Sequence, residues 1–120
     1  ADLVIGGKSM GGRIASMVAD EAGALGLVCL GYPFHPAGQP GRLRTEHLES
    51  LGTPAIFVQG ERDPFGSREE VESYALSPSI RVEWLPDGDH SFKPRKASGH
   101  TLDAHMQSAA AAVVAFMRAL

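Results

Sequence analysis

The sequence predicts an α/β fold, a three-layer α/β/α sandwich around a mainly parallel sheet. Three observations point there. Four short apolar or alternating runs have strand character, around residues 3–7, 25–30, 54–59 and 80–85. Stretches with the 3.6-residue apolar period of helices separate or follow them. Strands that alternate with helices require parallel pairing with right-handed crossovers, and the helices cover the faces of the sheet.

Taken in order, Leu3-Val4-Ile5 is a continuous apolar run ending in Gly6-Gly7, the pattern of a strand buried on both faces. From Met10 the period changes: Met10, Ile14, Met17 and Val18 recur at i, i+4, i+7 and i+8, predicting a helix with that stripe toward the core. Gly23 is placed to end it. A second strand, 25–30, closes at Gly31 and contains Cys29, expected in the core rather than as a nucleophile. The Pro- and Gly-rich segment 31–44 reads as loop, followed by a short helix over 45–50 with Thr45 as its N-cap. Pro54 to Gln59 is the third strand, ended by Gly60. Ser67 and Glu70 form a capping-box pattern that opens a helix finishing before Pro78. Ile80 to Leu85 is the fourth strand, and Leu102, Met106, Ala109, Ala110, Val113, Met117 and Leu120 mark a long amphipathic C-terminal helix.

At 120 residues the chain is expected to be one domain. A net charge of −3 argues against nucleic-acid binding, which needs a concentrated basic surface. The densest basic stretch, Lys93, Arg95 and Lys96, lies beside prolines and reads as a solvated loop. The single cysteine excludes an intramolecular disulfide and suits a reducing cytoplasm. No apolar run approaches the ~18 residues of a membrane span, so a soluble, cytoplasmic protein without a membrane partner is expected. The chain has no leading methionine and enters an apolar run by Leu3 without a turn or cap. The expectation is therefore the later part of a longer chain.

The chemistry is carried by Gly7-Lys8-Ser9-Met10-Gly11, which fits G-x-S-x-G at a strand-to-helix turn. Such a turn pushes the serine hydroxyl out of the sheet, and glycines at 7 and 11 are expected to spare collisions with the neighbouring strand and helix. The N–H of Met10, at the positive end of the helix, is the natural oxyanion donor. A serine needs a base to become a nucleophile at neutral pH. In this architecture the partners follow in the order Ser, Asp or Glu, His, each after a strand. Asp63 follows the third strand and His90 the fourth. Glu61, Asp87 and Asp89 compete for the acid's place, but Asp87 and Asp89 share the histidine's own loop and are expected to shape that turn. The other histidines lack metal-ligand spacing and are expected at the surface or in the pocket; His35, with Tyr32, Phe34 and Phe65, is expected to line an apolar pocket near Ser9. No metal or cofactor is implied. Gly7-Lys8-Ser9 also imitates the end of a phosphate-binding loop, but that pattern needs glycine where Asp2 stands and a flexible loop where Leu3-Val4-Ile5 reads as strand.

Four stretches together resemble a known family: Gly6-Gly7-Lys8-Ser9-Met10-Gly11-Gly12-Arg13, Gly31-Tyr32-Pro33-Phe34-His35-Pro36, Gln59-Gly60-Glu61-Arg62-Asp63-Pro64-Phe65-Gly66 and Gly88-Asp89-His90. They are similar to the dienelactone-hydrolase-like branch of the α/β-hydrolase superfamily, and more closely to small bacterial hydrolases related to a subunit of the human nonspecific-lethal chromatin complex. The resemblance implies that Ser9, Asp63 and His90 form a triad. Dienelactone hydrolases proper carry cysteine where this chain has Ser9. It also implies that the chain is the C-terminal half of such a fold, lacking the strands before the elbow and the loop that supplies a second oxyanion donor. The 2–8 strand edge would then pair with the protein's own N-terminal half or with a second copy. The expected activity is hydrolysis of an ester or related acyl bond of a small-molecule substrate through an acyl-enzyme. The alternatives are a non-catalytic interaction scaffold and an acyltransferase.

Overall fold

The computed structural model describes residues 2–120. Its sheet has four parallel strands in sequential order: β1 (Val4–Lys8), β2 (Gly26–Leu30), β3 (Ala55–Gly60) and β4 (Ile80–Leu85). Helix α1 (Met10–Ala22) joins β1 to β2, a 3₁₀ turn at Glu46–Glu49 lies before β3, and α2 (Arg68–Glu72) leads to β4. A 3₁₀ turn at Lys96–Ser98 precedes the long α3 (Leu102–Arg118).

Crossovers of one hand between successive neighbours put their connections on one face, and the core divides accordingly. On β3, which is buried throughout, Ala55 and Phe57 point to one side and Ile56 and Val58 to the other. The first side packs against Ala19 of α1, Leu48 of the 3₁₀ turn and Val71 of α2; the second packs against Ala109, Ala112 and Phe116 of α3. The result is three layers, α/β/α.

The capping signals of α1 and α2 act as read, and that of the segment before β3 does not. Gly23 caps α1 in the left-handed region at φ 65°. Ser67 and Glu70 form both hydrogen bonds of a capping box. Thr45 precedes the 3₁₀ turn but makes no side-chain cap. Cys29 is fully buried, and burial pushes its thiol up to about 12.

Three expectations about burial are corrected. Strand β1 is half-exposed rather than buried on both faces, because among the described residues it forms the edge of the sheet and pairs with β2 alone. The α1 stripe Met10, Ile14, Met17 and Val18 is 44–55% exposed. The sheet-facing side of α1 is instead Gly12, Ser16 and Ala19, small residues that let the helix lie close to β1 and β2. On α3 the stripe is likewise rotated. Leu102, Met106, Met117 and Leu120 are 38–52% exposed, while His105, Ala109, Ala112 and Phe116 are buried. His105 reaches the Pro86 carbonyl at 2.6 Å, which gives a polar side chain a buried partner that periodicity could not foresee. Among the described residues, no helix is long and apolar enough to cross a membrane.

Candidate active site

The site lies at the carboxyl ends of β1, β3 and β4. Lys8 ends β1 and Met10 begins α1, so Ser9 alone makes the turn, with φ 53° and ψ −120°. A positive φ is uncommon for a residue with a side chain. Two backbone bonds hold it there: the Ser9 N–H donates to the Leu30 carbonyl (2.8 Å), and its carbonyl accepts from the Arg13 N–H (3.1 Å). The turn also needs close approach of helix to strand. A Cβ on Gly7 would stand 2.5 Å from the Gly11 carbonyl carbon, and one on Gly12 would stand 2.8 Å from the Gly7 carbonyl oxygen. Gly11 faces open space, so the glycine that packing demands on the helix is Gly12 rather than Gly11.

Asp63 is fully buried, four residues beyond Gln59 on the loop after β3. Its Oδ1 accepts the Phe65 N–H at 2.8 Å; its Oδ2 accepts from Gln59 Nε2 at 3.1 Å and from His90 Nδ1 at 2.8 Å. An ionised carboxylate only accepts, so Nδ1 of His90 carries a proton, and in the neutral ring Nε2 then presents its lone pair. Ser9 Oγ stands 2.9 Å from that Nε2 and donates to it. His90 is held by a loop that closes on itself: Asp89 Oδ1 accepts the N–H groups of Ser91 (2.8 Å) and Lys93 (3.0 Å). Gly31 lies under the histidine, where a Cβ would come within 3.0 Å of its carbonyl oxygen.

The competing acids are engaged elsewhere. Asp87 binds Arg95 at 2.6 Å and Arg62 at 3.2 Å. The hydrogen bonds from Arg95, its side chain first, hold the Asp87 carboxyl well below the usual carboxylate range. Glu61 accepts from Arg68 (2.9 Å) and the Asp87 N–H (3.1 Å). Helix α1 starts above Ser9, and its first hydrogen-bonded amide is Arg13, so the Met10 N–H is one of the donors a helix leaves open at its start.

Of the four residues expected to line a pocket, only Phe65 stands beside the site, its ring 4.5 Å from that of His90. Tyr32 and Phe34 are fully buried in the core, packed on each other and on Phe57. They follow β2 directly and fall on its covered face. His35 is 2% exposed and donates to the Pro36 carbonyl (2.8 Å) and Glu70 (3.0 Å). An apolar groove of about 340 Å³ lies on the α3 side among Leu30, Phe92, Met106, Ala109, Val113 and Val114.

A second serine–histidine contact has different chemistry. His47 Nε2 lies 2.8 Å from Ser16 Oγ and 3.3 Å from the Tyr32 hydroxyl. Both hydroxyls spend their protons on carbonyls, Ser16 on Arg13 (2.6 Å) and Tyr32 on Arg44 (2.8 Å). The Nε2 must therefore donate, and it cannot act as a base toward Ser16. Burial, then the Arg13 charge, push the His47 pKa down, which keeps the ring neutral. Sequence reasoning missed Gln59, a fully buried amide at the end of an otherwise apolar strand. The signal was available: a polar residue inside a buried strand must find partners, and at the carboxyl end those belong to the site.

Comparison with known proteins agrees with the fold. A family model described as an alpha/beta hydrolase domain matches residues 1–118. Among solved structures, an alpha-beta serine hydrolase homologue from Coxiella burnetii superposes with a TM-score of 0.64 at 19% identity. The match covers 99% of this chain and 49% of the other, so the chain spans about half the length of that structure. With a parallel sheet, a positive-φ serine between β1 and α1, and a family match along nearly its whole length, the chain belongs to the alpha/beta hydrolase family.

Proposed function

We propose that this chain carries the catalytic centre of a serine hydrolase that cleaves an ester or related acyl bond through an acyl-enzyme. The observation that carries the reading is the unbroken path from Ser9 Oγ to His90 Nε2 (2.9 Å) and from His90 Nδ1 to Asp63 Oδ2 (2.8 Å). In the proposed reaction His90 takes the Ser9 proton as Oγ attacks the acyl carbon, and the Met10 N–H stabilises the oxyanion. Collapse of the tetrahedral species breaks the bond to the leaving group, which receives the proton from His90. Water, deprotonated by the same histidine, then releases the acid and restores Ser9. Asp63 holds the tautomer and balances the imidazolium charge.

A small-molecule carboxylic ester, of the kind dienelactone-hydrolase-like enzymes take, fits a half-exposed serine whose N–H bonds the carbonyl of Leu30, a residue that also lines the apolar groove. A fluorophosphonate probe followed by peptide mass spectrometry is expected to modify Ser9 alone. Ser9→Ala is expected to lower p-nitrophenyl acetate hydrolysis by roughly 10³-fold or more. Labelling of Ser16 or another serine, or undiminished turnover by Ser9→Ala, would overturn the assignment.

A further inference from the structure

We infer that Gln59 is a positioning residue that locks the acid of the proposed triad, Asp63, in the orientation His90 uses. The inference rests on the reading above and concerns a side chain outside the three. Gln59 occupies the penultimate position of β3 and is fully buried. On the Ala55 and Phe57 side of that strand it is the one residue that is not apolar.

Every polar atom of its amide is used. Oε1 accepts the Tyr32 N–H at 2.9 Å. Nε2 faces three acceptors: the Tyr32 carbonyl (3.2 Å), Asp63 Oδ2 (3.1 Å) and the Gly66 carbonyl (3.1 Å). Two hydrogens serve three oxygens, so one bond is shared. The side chain thereby ties the exit of β2 at Tyr32 to both ends of the acid's turn, Asp63 and Gly66. A purely structural clamp needs only the two carbonyls and the Tyr32 N–H. The contact with Oδ2 is different, because that same oxygen receives the His90 Nδ1–H. With Oδ1 held by the Phe65 N–H, rotating the carboxylate away from His90 would break bonds at both oxygens.

The consequence is electronic as well as geometric. A donor on Oδ2 draws on the charge that Asp63 offers the imidazole, because Gln59 Nε2 and His90 Nδ1 meet the same oxygen. Among the described residues, no Lys or Arg lies within ion-pair distance of Asp63. The titratable groups facing it are His90, on the loop after β4, and His35, after β2, which feels the Asp63 charge and itself binds Glu70 on α2. Gln59 is thus the neutral donor that shares Asp63 with the histidine.

The test is Gln59→Met, which keeps length and removes donors and acceptor, assayed with p-nitrophenyl acetate across pH alongside the parent protein. Turnover is expected to fall about 10- to 100-fold, the scale of a hydrogen bond to a charged group. The loss should appear in kcat rather than KM, and the acid limb of kcat/KM should move to higher pH because Asp63 gives more of its charge to His90. A folded variant with its acid limb unmoved or lowered, or with only KM changed, overturns the inference. If Gln59→Met does not fold, nuclear magnetic resonance on the parent protein decides: the Gln59 side-chain amide signals should titrate with the same midpoint as the His90 ring. Signals indifferent to that titration refute the coupling. The amide titration reads Gln59 whether or not the protein turns over ester, and a protein inactive with intact coupling would count against the proposed function alone.

Discussion

At the scale of single residues, the site depends on atoms denied any alternative partner. Ser9 can hold φ 53° because the sheet claims its N–H and the helix claims its carbonyl. Asp63 faces inward with both oxygens occupied, while the carboxylates of Asp87 and Glu61 have arginines to satisfy them. His35 shows the same logic away from the chemistry. Both of its ring nitrogens point at acceptors, a carbonyl and a carboxylate, which favours the doubly protonated ring. Burial alone would push its pKa down, but the hydrogen bonds to Pro36 and Glu70 outweigh it, and the net shift is upward from 6.5. A raised folded-state pKa stabilises the fold fully below the unfolded value and loses that contribution as pH climbs through the raised one. Urea denaturation of the parent protein and His35→Leu should therefore differ most below about pH 6.5, with the difference shrinking above it. A difference independent of pH would show that folding leaves the His35 pKa unchanged.

At the scale of elements, the elbow is a packing solution. Helix α1 can begin one residue after β1 ends because Gly7 and Gly12 let the two backbones nearly touch. Gly7→Ala would push a methyl into the Gly11 and Gly12 backbone, which has no side-chain freedom with which to give way. The expected cost is on the order of 3 kcal/mol, typical of overpacking against a rigid neighbour, with a matching fall in the denaturation midpoint. Gly11→Ala, which meets nothing within 4 Å, should change stability far less. Equal losses from the two would contradict this account of the turn. The short α2 is held by its capping box, in which Glu70 serves three partners: the Ser67 N–H, the Ser67 hydroxyl and His35. A carboxylate that caps a helix and neutralises a buried histidine joins the loop after β2 to the acid's loop, since His35 also donates its backbone N–H to the Phe65 carbonyl at 3.1 Å.

At the scale of the whole molecule, apolar surface is unevenly distributed. Among the described residues strand β1 pairs on one side only, and beside it Met10, Ile14, Met17 and Val18 of α1 stand exposed. On the other layer Met106, Val114 and Met117 are open as well. An unpaired strand edge flanked by such surface invites pairing. These 120 residues by themselves are expected to self-associate through it. Sedimentation should give a mass above 12.7 kDa, and Ile14→Lys with Met17→Lys should lower it. Monomeric behaviour at high concentration would argue that the exposed stripe is well tolerated by water.

Much of this was legible in the residues. The four strands and their alternation with helices follow from short apolar or alternating runs separated by helical periods. The turns at Gly23, Gly31 and Ser67 follow from local chemistry that needs only a few neighbours. The placement of Ser9, Asp63 and His90 after β1, β3 and β4 also follows, since a parallel sheet gathers its carboxyl ends at one edge. Tertiary structure alone decided which side of each helix is buried. Periodicity reports that an apolar stripe exists, but contact distance selects the residues small enough to lie against a sheet, and here Gly12, Ser16 and Ala19 prevailed over Met10, Ile14 and Met17. Tertiary structure also sent Tyr32, Phe34 and His35 into the core and gave Gln59 its contact with Asp63, because the partner of a buried polar group is a matter of which strands lie side by side, and no local pattern records it.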